Sequence, residues 1–99
     1  MSIERKGEME LLLLKRIENA IDNFGGMIKE YREKELLTLN SLASRIGCSG
    51  TYIFRVEKGK KKVPIHMRVR ILKRGLNWKA NEIECYLVET IKGYKQKGR

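Results

Sequence analysis

The sequence predicts an all-α fold, a compact bundle of five to six helices in a single domain over residues 1–99. Apolar residues recur at helical spacing along most of the chain, and no alternating run is long enough to predict a strand. The 99-residue length is that of one domain, and a single proline interrupts the helical pattern. These three observations leave little room for a deep catalytic cleft beside the core.

The first helix is predicted over residues 8–22, as an additional N-terminal helix in front of the remaining bundle. Its apolar residues recur every three or four positions and are expected on one face: Met9, Leu12, Leu13, Ile17, Ala20 and Ile21. The pair Gly25-Gly26 predicts a break or kink after this helix. A second helix is predicted from about residue 26 to residue 35.

Two short helices separated by a glycine turn are predicted over residues 39–46 and 50–58. Thr38 and Ser49 each precede one of them and can accept a hydrogen bond from a free backbone N–H of its first turn. Gly47 stands where a helix commonly ends in a left-handed turn. Two short helices joined in this way form a helix-turn-helix, whose second helix enters the major groove of DNA.

Two further helices are predicted in the last third of the chain. Pro64 suits the start of a helix over about residues 65–76, which Asn77 ends. The apolar side of that helix is expected to hold Ile65, Val69, Leu72 and Leu76. A last helix over residues 79–94 has an apolar ridge at i+4 spacing, formed by Ile83, Leu87 and Ile91.

The positive charge is concentrated in the middle of the chain. The formal net charge is +10, and residues 36–78 contain ten Lys and Arg against a single acid, Glu57. A solvated surface mixes both signs, whereas a stretch of one sign indicates an anionic partner, above all a phosphate backbone. An acidic membrane is the competing partner, but the stretch lacks the Trp/Phe/Leu face of an interfacial helix.

Several function classes are disfavoured by what the sequence lacks. The longest apolar run is Leu11–Leu14, far below the ~20 residues of a membrane span, and acidic residues precede it, which disfavours a signal peptide. Cys48, Cys85 and His66 form no metal-ligand cluster, and no paired-carboxylate, nucleophile or phosphate-loop motif is present. We therefore expect a cytoplasmic protein without membrane contact, enzymatic activity, metal, cofactor or evident small-molecule ligand. Two free, at least partly buried thiols are expected rather than a disulfide.

Residues 37–64 carry a specific sequence pattern. Their sequence, LTLNSLASRIGCSGTYIFRVEKGKKKVP, resembles the pattern L-T-x-x-x-L-A-x-x-x-G-x-S-x-x-x-I-x-x-x-E-x-G-x-x-x-x-P of the Cro/phage-repressor (Xre-type) family. The matching positions are Leu37, Thr38, Leu42, Ala43, Gly47, Ser49, Ile53, Glu57, Gly59 and Pro64. The resemblance covers about residues 26–90 and implies a lambda-repressor-like bundle. It implies a helix-turn-helix core over 26–76, with 39–46 as the positioning helix and 50–58 as the recognition helix.

The resemblance also implies roles for individual residues. It assigns base contacts to Gly50, Thr51, Phe54 and Arg55, and DNA-backbone contacts to Ser49, Tyr52, Lys60, Lys61 and Lys62. The guanidinium of Arg55 can bind guanine O6 and N7 with two hydrogen bonds. An Arg of the family's first helix usually pairs with the Glu of the recognition helix, which here pairs Arg32 with Glu57. The alternative for Glu57 is a surface carboxylate, and Arg45 either contacts the DNA backbone or is solvated.

Three departures from the family pattern leave more than one function open. Leu39 replaces a Gln that commonly contacts the DNA backbone, Gly50 removes a long side chain, and Phe54 packs either on a thymine methyl or on a protein partner. The predicted function is a sequence-specific regulator of transcription, a repressor that binds double-stranded DNA in the nucleoid. The alternative is a protein-interaction module, an antirepressor or antitoxin-like partner. RNA binding is a third candidate, although the aromatic strands of an RNA-recognition module are absent.

A homodimer is expected because one recognition helix contacts too few base pairs for useful specificity. The candidate dimer surfaces are the helices predicted over 79–94 and 8–22. The alternative for both helices is that they only close the core of the monomer. Trp78 is expected in that core rather than at an interface.

Overall fold

Six α-helices and one π-helical turn make up the fold. The computed structural model describes the backbone of residues 3–97 and the side chains of residues 7–93. The helices are α1 Ile3–Asp22, α2 Phe24–Lys34, α3 Leu39–Ile46, α4 Gly50–Glu57, α5 Ile65–Arg70 and α6 Ala80–Lys97, with the π-helical turn at Ile71–Gly75. No strand occurs within the described residues, so the predicted all-α fold is confirmed.

The helix-turn-helix is formed by α3 and α4, at the predicted positions. The hydroxyl of Thr38 accepts from the N–H of Ser41 at 3.0 Å, and the hydroxyl of Ser49 accepts from the N–H of Tyr52 at 3.1 Å. Both predicted caps are therefore present. Gly47 ends α3 with φ +90°, in the left-handed region that favours glycine. Helix α3 has the predicted bounds, and α4 ends one residue before the predicted residue 58.

Only one face of α4 packs against the core. Ile53 is 0% exposed and Val56 is 3% exposed, as predicted for the inner side of the recognition helix. They belong to a continuous apolar cluster with members from α1, α2, α3, the π-helical turn and α6: Ile17, Ala20, Phe24, Met27, Ile28, Leu42, Ala43, Ile46, Ile71, Leu72, Leu76, Ile83 and Tyr86. The opposite side of α4 is thereby left to solvent.

The glycines predicted to break the chain after the first helix lie inside α2, and Gly25 has a different role. Helix α1 ends at Asp22, and Gly25 lies inside the first turn of α2. A Cβ on Gly25 would collide with the backbone carbonyl oxygen of Val56. This glycine therefore permits α2 to approach the backbone of α4, a contact between distant segments that the local sequence pattern does not reveal.

Helix α1 is longer than predicted, and its apolar face is buried only in the C-terminal half. The helix begins at Ile3 rather than at residue 8. Met9 is 65% exposed and Leu12 is 66% exposed, whereas Ile17 and Ala20 are buried. The reason is positional: α1 packs against the core only from Leu13 onwards, so none of the side chains that the structure describes covers Met9 and Leu12 to the same degree.

The helix predicted over 65–76 is interrupted. Regular α-helix ends at Arg70, and the π-helical turn continues to Gly75. Leu72 and Leu76 are buried as predicted, and Ile71 in the wider turn is buried as well. Ile65, at the start of α5, is 46% exposed, contrary to the predicted face. Asn77 ends the segment with φ +59°, as predicted.

The burial of the apolar residues of α6 decreases from the N-terminal part of the helix towards its C-terminal part. Ile83 is buried, Leu87 is half-buried and Ile91 is 53% exposed, so only the first part of the predicted ridge packs inward. Trp78, just before α6, is 4% exposed, as expected for a core residue. Cys85 is fully on the surface, which corrects the expectation of two partly buried thiols; Cys48 is half-buried and matches it.

Candidate nucleic-acid interface

An internal ion pair holds the recognition helix α4 to α2. The Nε of Arg32 donates to Glu57 Oε2 at 2.7 Å and its Nη2 donates to Oε1 at 3.0 Å. The hydrogen bonds to Glu57 raise the pKa of Arg32 above its ordinary value, so the guanidinium stays charged. The Glu57 side chain is only 3% exposed. It is therefore the structural partner that the family resemblance implies and not a surface carboxylate that would repel phosphates.

The outer face of α4 presents three of the predicted base-contacting residues together. Thr51, Phe54 and Arg55 follow i, i+3, i+4 spacing opposite the buried Ile53, and all three are exposed. Phe54 is 45% exposed. A helix face of this kind is free to enter the roughly 12 Å wide major groove of B-DNA.

Cations and hydroxyls surround this face. Gly59, with φ +72°, turns the chain after α4, and Lys60, Lys61 and Lys62 follow it in exposed positions. The ammonium of Lys61 lies 5.7 Å from the centre of the Tyr52 ring. Burial raises the pKa of Tyr52 above its ordinary value, so its phenol stays neutral and able to donate to an anion. The exposed Ser49 at the start of α4 completes the set of predicted backbone contacts.

Three of the ten cations in residues 36–78 serve the fold instead. Arg45 donates to the Gly75 carbonyl at 3.1 Å, Arg68 to the Val63 carbonyl at 2.9 Å, and Arg70 to the Ile46 carbonyl at 2.8 Å. Arg45 is thus neither a plain solvated residue nor a free backbone contact. These carbonyls are neutral, so the three arginines keep their charge, but their side chains are held against the fold, whereas the side chains of Arg55 and of the three lysines at 60–62 are exposed on or next to α4.

Two residues at this surface were missed by the sequence analysis. The ammonium of Lys58 lies 5.5 Å from the centre of the Phe54 ring and is exposed at the end of α4. Its place in the basic run after Glu57 was the available signal. The side chain of Asn40, on α3, lies against Gly50, where a Cβ would collide with its Oδ1. No local pattern reveals this contact, since it joins the first turns of two helices.

The surface carries no sign of a membrane or metal role. Within the described part of the chain, no helix combines the length and apolar character that crossing a membrane demands. The His, Cys, Asp and Glu side chains among the same residues form no group that could hold a metal ion.

A capped pair of short helices with a basic, outward-facing second helix defines a helix-turn-helix protein. Comparison with known proteins agrees: a family model described as Helix-turn-helix matches residues 28–76. The chain is 31% identical over 96 residues to the HTH-type transcriptional repressor RghR of Bacillus subtilis (strain 168), in an alignment that covers 78% of this chain and 71% of the relative. No solved structure matches the chain. The chain therefore belongs to the helix-turn-helix family, which confirms the Xre-type, lambda-repressor-like resemblance.

The alternative of a protein-interaction module is not favoured. One of its two motives was Gly50, but the Asn40 carboxamide already occupies the space beside this glycine, so the start of α4 is not bare. The other was the exposed aromatic Phe54, which Lys58 partly covers as a cation–π partner. Both departures are thus compatible with a DNA-contacting face.

Proposed function

We propose that the protein is a sequence-specific DNA-binding repressor of transcription that acts by occupying its site. The observation that carries the proposal is the single outward face of α4 with Thr51, Phe54 and Arg55, beside exposed lysines, while the nearby Glu57 is paired with Arg32. The relative in Bacillus subtilis is named a transcriptional repressor, which supports the same direction of control. Binding to chromosomal DNA would make the protein a cytoplasmic, nucleoid-associated one.

The proposed base contacts divide by chemistry. Arg55 pairs its guanidinium with guanine O6 and N7, the commonest specific contact in the major groove. Thr51 and Phe54 offer methyl and ring surface to thymine methyl groups, which are the only apolar feature of that groove. Gly50, without a side chain, can contribute to base contact only through its backbone.

The proposed backbone contacts fix the register of α4 without reading sequence. Lys60, Lys61 and Lys62 neutralise phosphates from the loop behind α4, and Ser49 and Tyr52 donate hydroxyl hydrogen bonds to them. Lys58 joins this set because it is exposed beside the same helix end. Each neutralised phosphate releases counterions, so binding should weaken as salt rises.

A homodimer is proposed as the binding species, with α1 and α6 as its interface. The apolar residues exposed on these two helices are Met9, Leu11, Leu12, Leu14, Val88 and Ile91. Large exposed apolar surfaces are uncommon on soluble monomers and often mark an interaction site. The radius of gyration is 14.5 Å, against about 12.5 Å for a compact domain of this length, so these helices extend from the body. A second copy would bury them and supply the second recognition helix.

Selection of bound sequences from a random pool of double-stranded DNA tests the function. We expect an inverted repeat with one enriched half-site for each copy, and a single-stranded RNA pool serves as the comparison. Enrichment of no DNA sequence, or preferential enrichment of RNA, would refute the proposal. A single half-site without symmetry would refute the dimer but leave the base-reading face intact.

A further inference from the structure

The first turn of α4 lacks a side chain of its own but is covered by one from α3. Gly50 is the first residue of α4, and Asn40 is the second residue of α3. A Cβ on Gly50 would collide with Asn40 Oδ1 and would lie 3.2 Å from Asn40 Cγ. The carboxamide of Asn40 therefore occupies the space that the side chain of residue 50 fills in any chain with a larger residue there.

The carboxamide of Asn40 is available for an external contact. Asn40 is exposed, and its side chain takes part in no hydrogen bond between residues that the structure describes. The cap of α3 does not need it, because the Thr38 hydroxyl already binds the N–H of Ser41 and donates to the Ser41 hydroxyl at 2.9 Å. A desolvated carboxamide without partners would be costly, so a partner that covers this surface must provide both a donor and an acceptor.

The position of the carboxamide suggests what it contacts. A recognition helix inserts its N-terminal residues between the groove walls, and the preceding helix crosses the backbone beside it. A group lying on Gly50 is thus carried to the same base edges as Thr51, the next residue of α4. An Asn amide can accept from adenine N6 and donate to adenine N7 at once, and no other base offers that pair in the major groove.

We propose that Asn40 reads an adenine beside the base pair contacted by Thr51, and so acts as a specificity-determining residue supplied by the positioning helix. Gly50 is then required as the seat of the Asn40 carboxamide. This inference depends on the proposed DNA-binding function and extends its base-reading set from α4 to α3.

Three variants and one modified base test the inference. Asn40→Ala removes the carboxamide, Gly50→Ala displaces it, and the double variant does both. The matched control is Asn81→Ala, since Asn81 is likewise exposed at the second position of its helix, α6. Sites are selected for each variant, and affinities are measured on the preferred site with adenine or 7-deazaadenine at the assigned position. Circular dichroism establishes that each variant is folded.

Asn40→Ala should lose discrimination at one adenine by about 5- to 100-fold, the range of a good bidentate contact. Gly50→Ala should lose the same preference, and the double variant should be no worse than either single one, because all three remove one contact. The 7-deaza base should weaken the unmutated protein and leave Asn40→Ala unaffected. If Gly50→Ala does not fold, Asn40→Ala and the modified base still decide the question.

Two outcomes would overturn the inference. Equal weakening of Asn40→Ala on all sequences would make Asn40 a phosphate contact, and unchanged selection by Asn40→Ala would make it a spacer without a DNA role. Both differ from failure of the proposed function, in which the unmutated protein would select no sequence at all.

Discussion

Removing Arg32 should destabilise the whole domain. The side chain makes two hydrogen bonds to the Glu57 carboxylate, at 2.7 and 3.0 Å, and a third to the Leu37 carbonyl at 3.1 Å. Arg32→Ala leaves the Glu57 carboxylate, 3% exposed, without its partner. Loss of one member of a buried pair costs about 3–5 kcal/mol, a large part of the roughly 5–15 kcal/mol that holds a domain folded. The melting temperature should fall by roughly 15–30 °C.

The assay is urea and thermal unfolding followed by circular dichroism, with a graded set of variants. Arg32→Lys keeps the charge but not the paired geometry and should lie between the unmutated protein and Arg32→Ala. The double variant Arg32→Met with Glu57→Leu leaves no buried charge and should be more stable than Arg32→Ala. Arg55→Ala, at an exposed Arg of α4, is the control and should change stability by less than about 0.5 kcal/mol. An unchanged melting temperature for Arg32→Ala would refute the reasoning.

The remaining predictions concern binding and assembly. Arg55→Ala should cost ~1–3 kcal/mol of binding free energy on the preferred site and lose discrimination at one base pair. Lys61→Ala should weaken binding to all sequences alike and reduce the log–log salt slope by about one unit. Arg74→Ala is the control, since Arg74 is exposed on the π-helical turn, and an unchanged sequence preference of Arg55→Ala would contradict the assignment. Replacing the thymine beside Phe54 by uracil should weaken DNA binding by the unmutated protein about fourfold, which corresponds to the ~0.8 kcal/mol of one methyl group. The same replacement should not weaken binding by Phe54→Ala, and equal effects on both proteins would count against the contact. Ile91→Glu should yield a monomer in sedimentation at micromolar concentration. Ile65→Glu should not, although Ile65 of α5 is a similarly exposed apolar residue. An unmutated protein that is monomeric both free and on DNA would exclude the dimer.

Most of the fold could be predicted from sequence signals that act within a single helix or turn. The caps Thr38 and Ser49 and the left-handed Gly47 act within a few residues of their own helix, so the sequence pattern locates α3 and α4 to within one residue. The exposure of Thr51 and Arg55 follows from the same periodicity, because a helix with Ile53 inward must turn these residues outward. The class of site was predictable for the same reason.

Contacts between distant segments account for the errors. Gly25 looked like a helix breaker, yet it is needed for the approach of α2 to the backbone of Val56. The π-helical turn replaces regular α-helix after Arg70, and no 3.6-residue pattern anticipates such an interruption. The exposure of Met9 and Leu12 could not be predicted, because periodicity reports an apolar face but not whether anything covers it.

Among the ten cations of residues 36–78, those that bind the fold are all of one residue type, which the net charge does not show. The three that bind backbone carbonyls are all arginines: Arg45, Arg68 and Arg70. A guanidinium is planar, weakly hydrated and rich in donors, so it can satisfy a carbonyl at a helix end and still reach a second acceptor, as Arg68 does with the Tyr86 hydroxyl at 3.2 Å. A lysine ammonium keeps its water and stays outside, as the exposed loop at 60–62 does. The carbonyls do not neutralise these arginines, but the exposed lysines are the cations that can reach a phosphate without leaving a contact in the fold. Arg55 differs from the three carbonyl-bound arginines because it lies exposed on the outward face of α4, where we expect its bidentate geometry to serve base recognition.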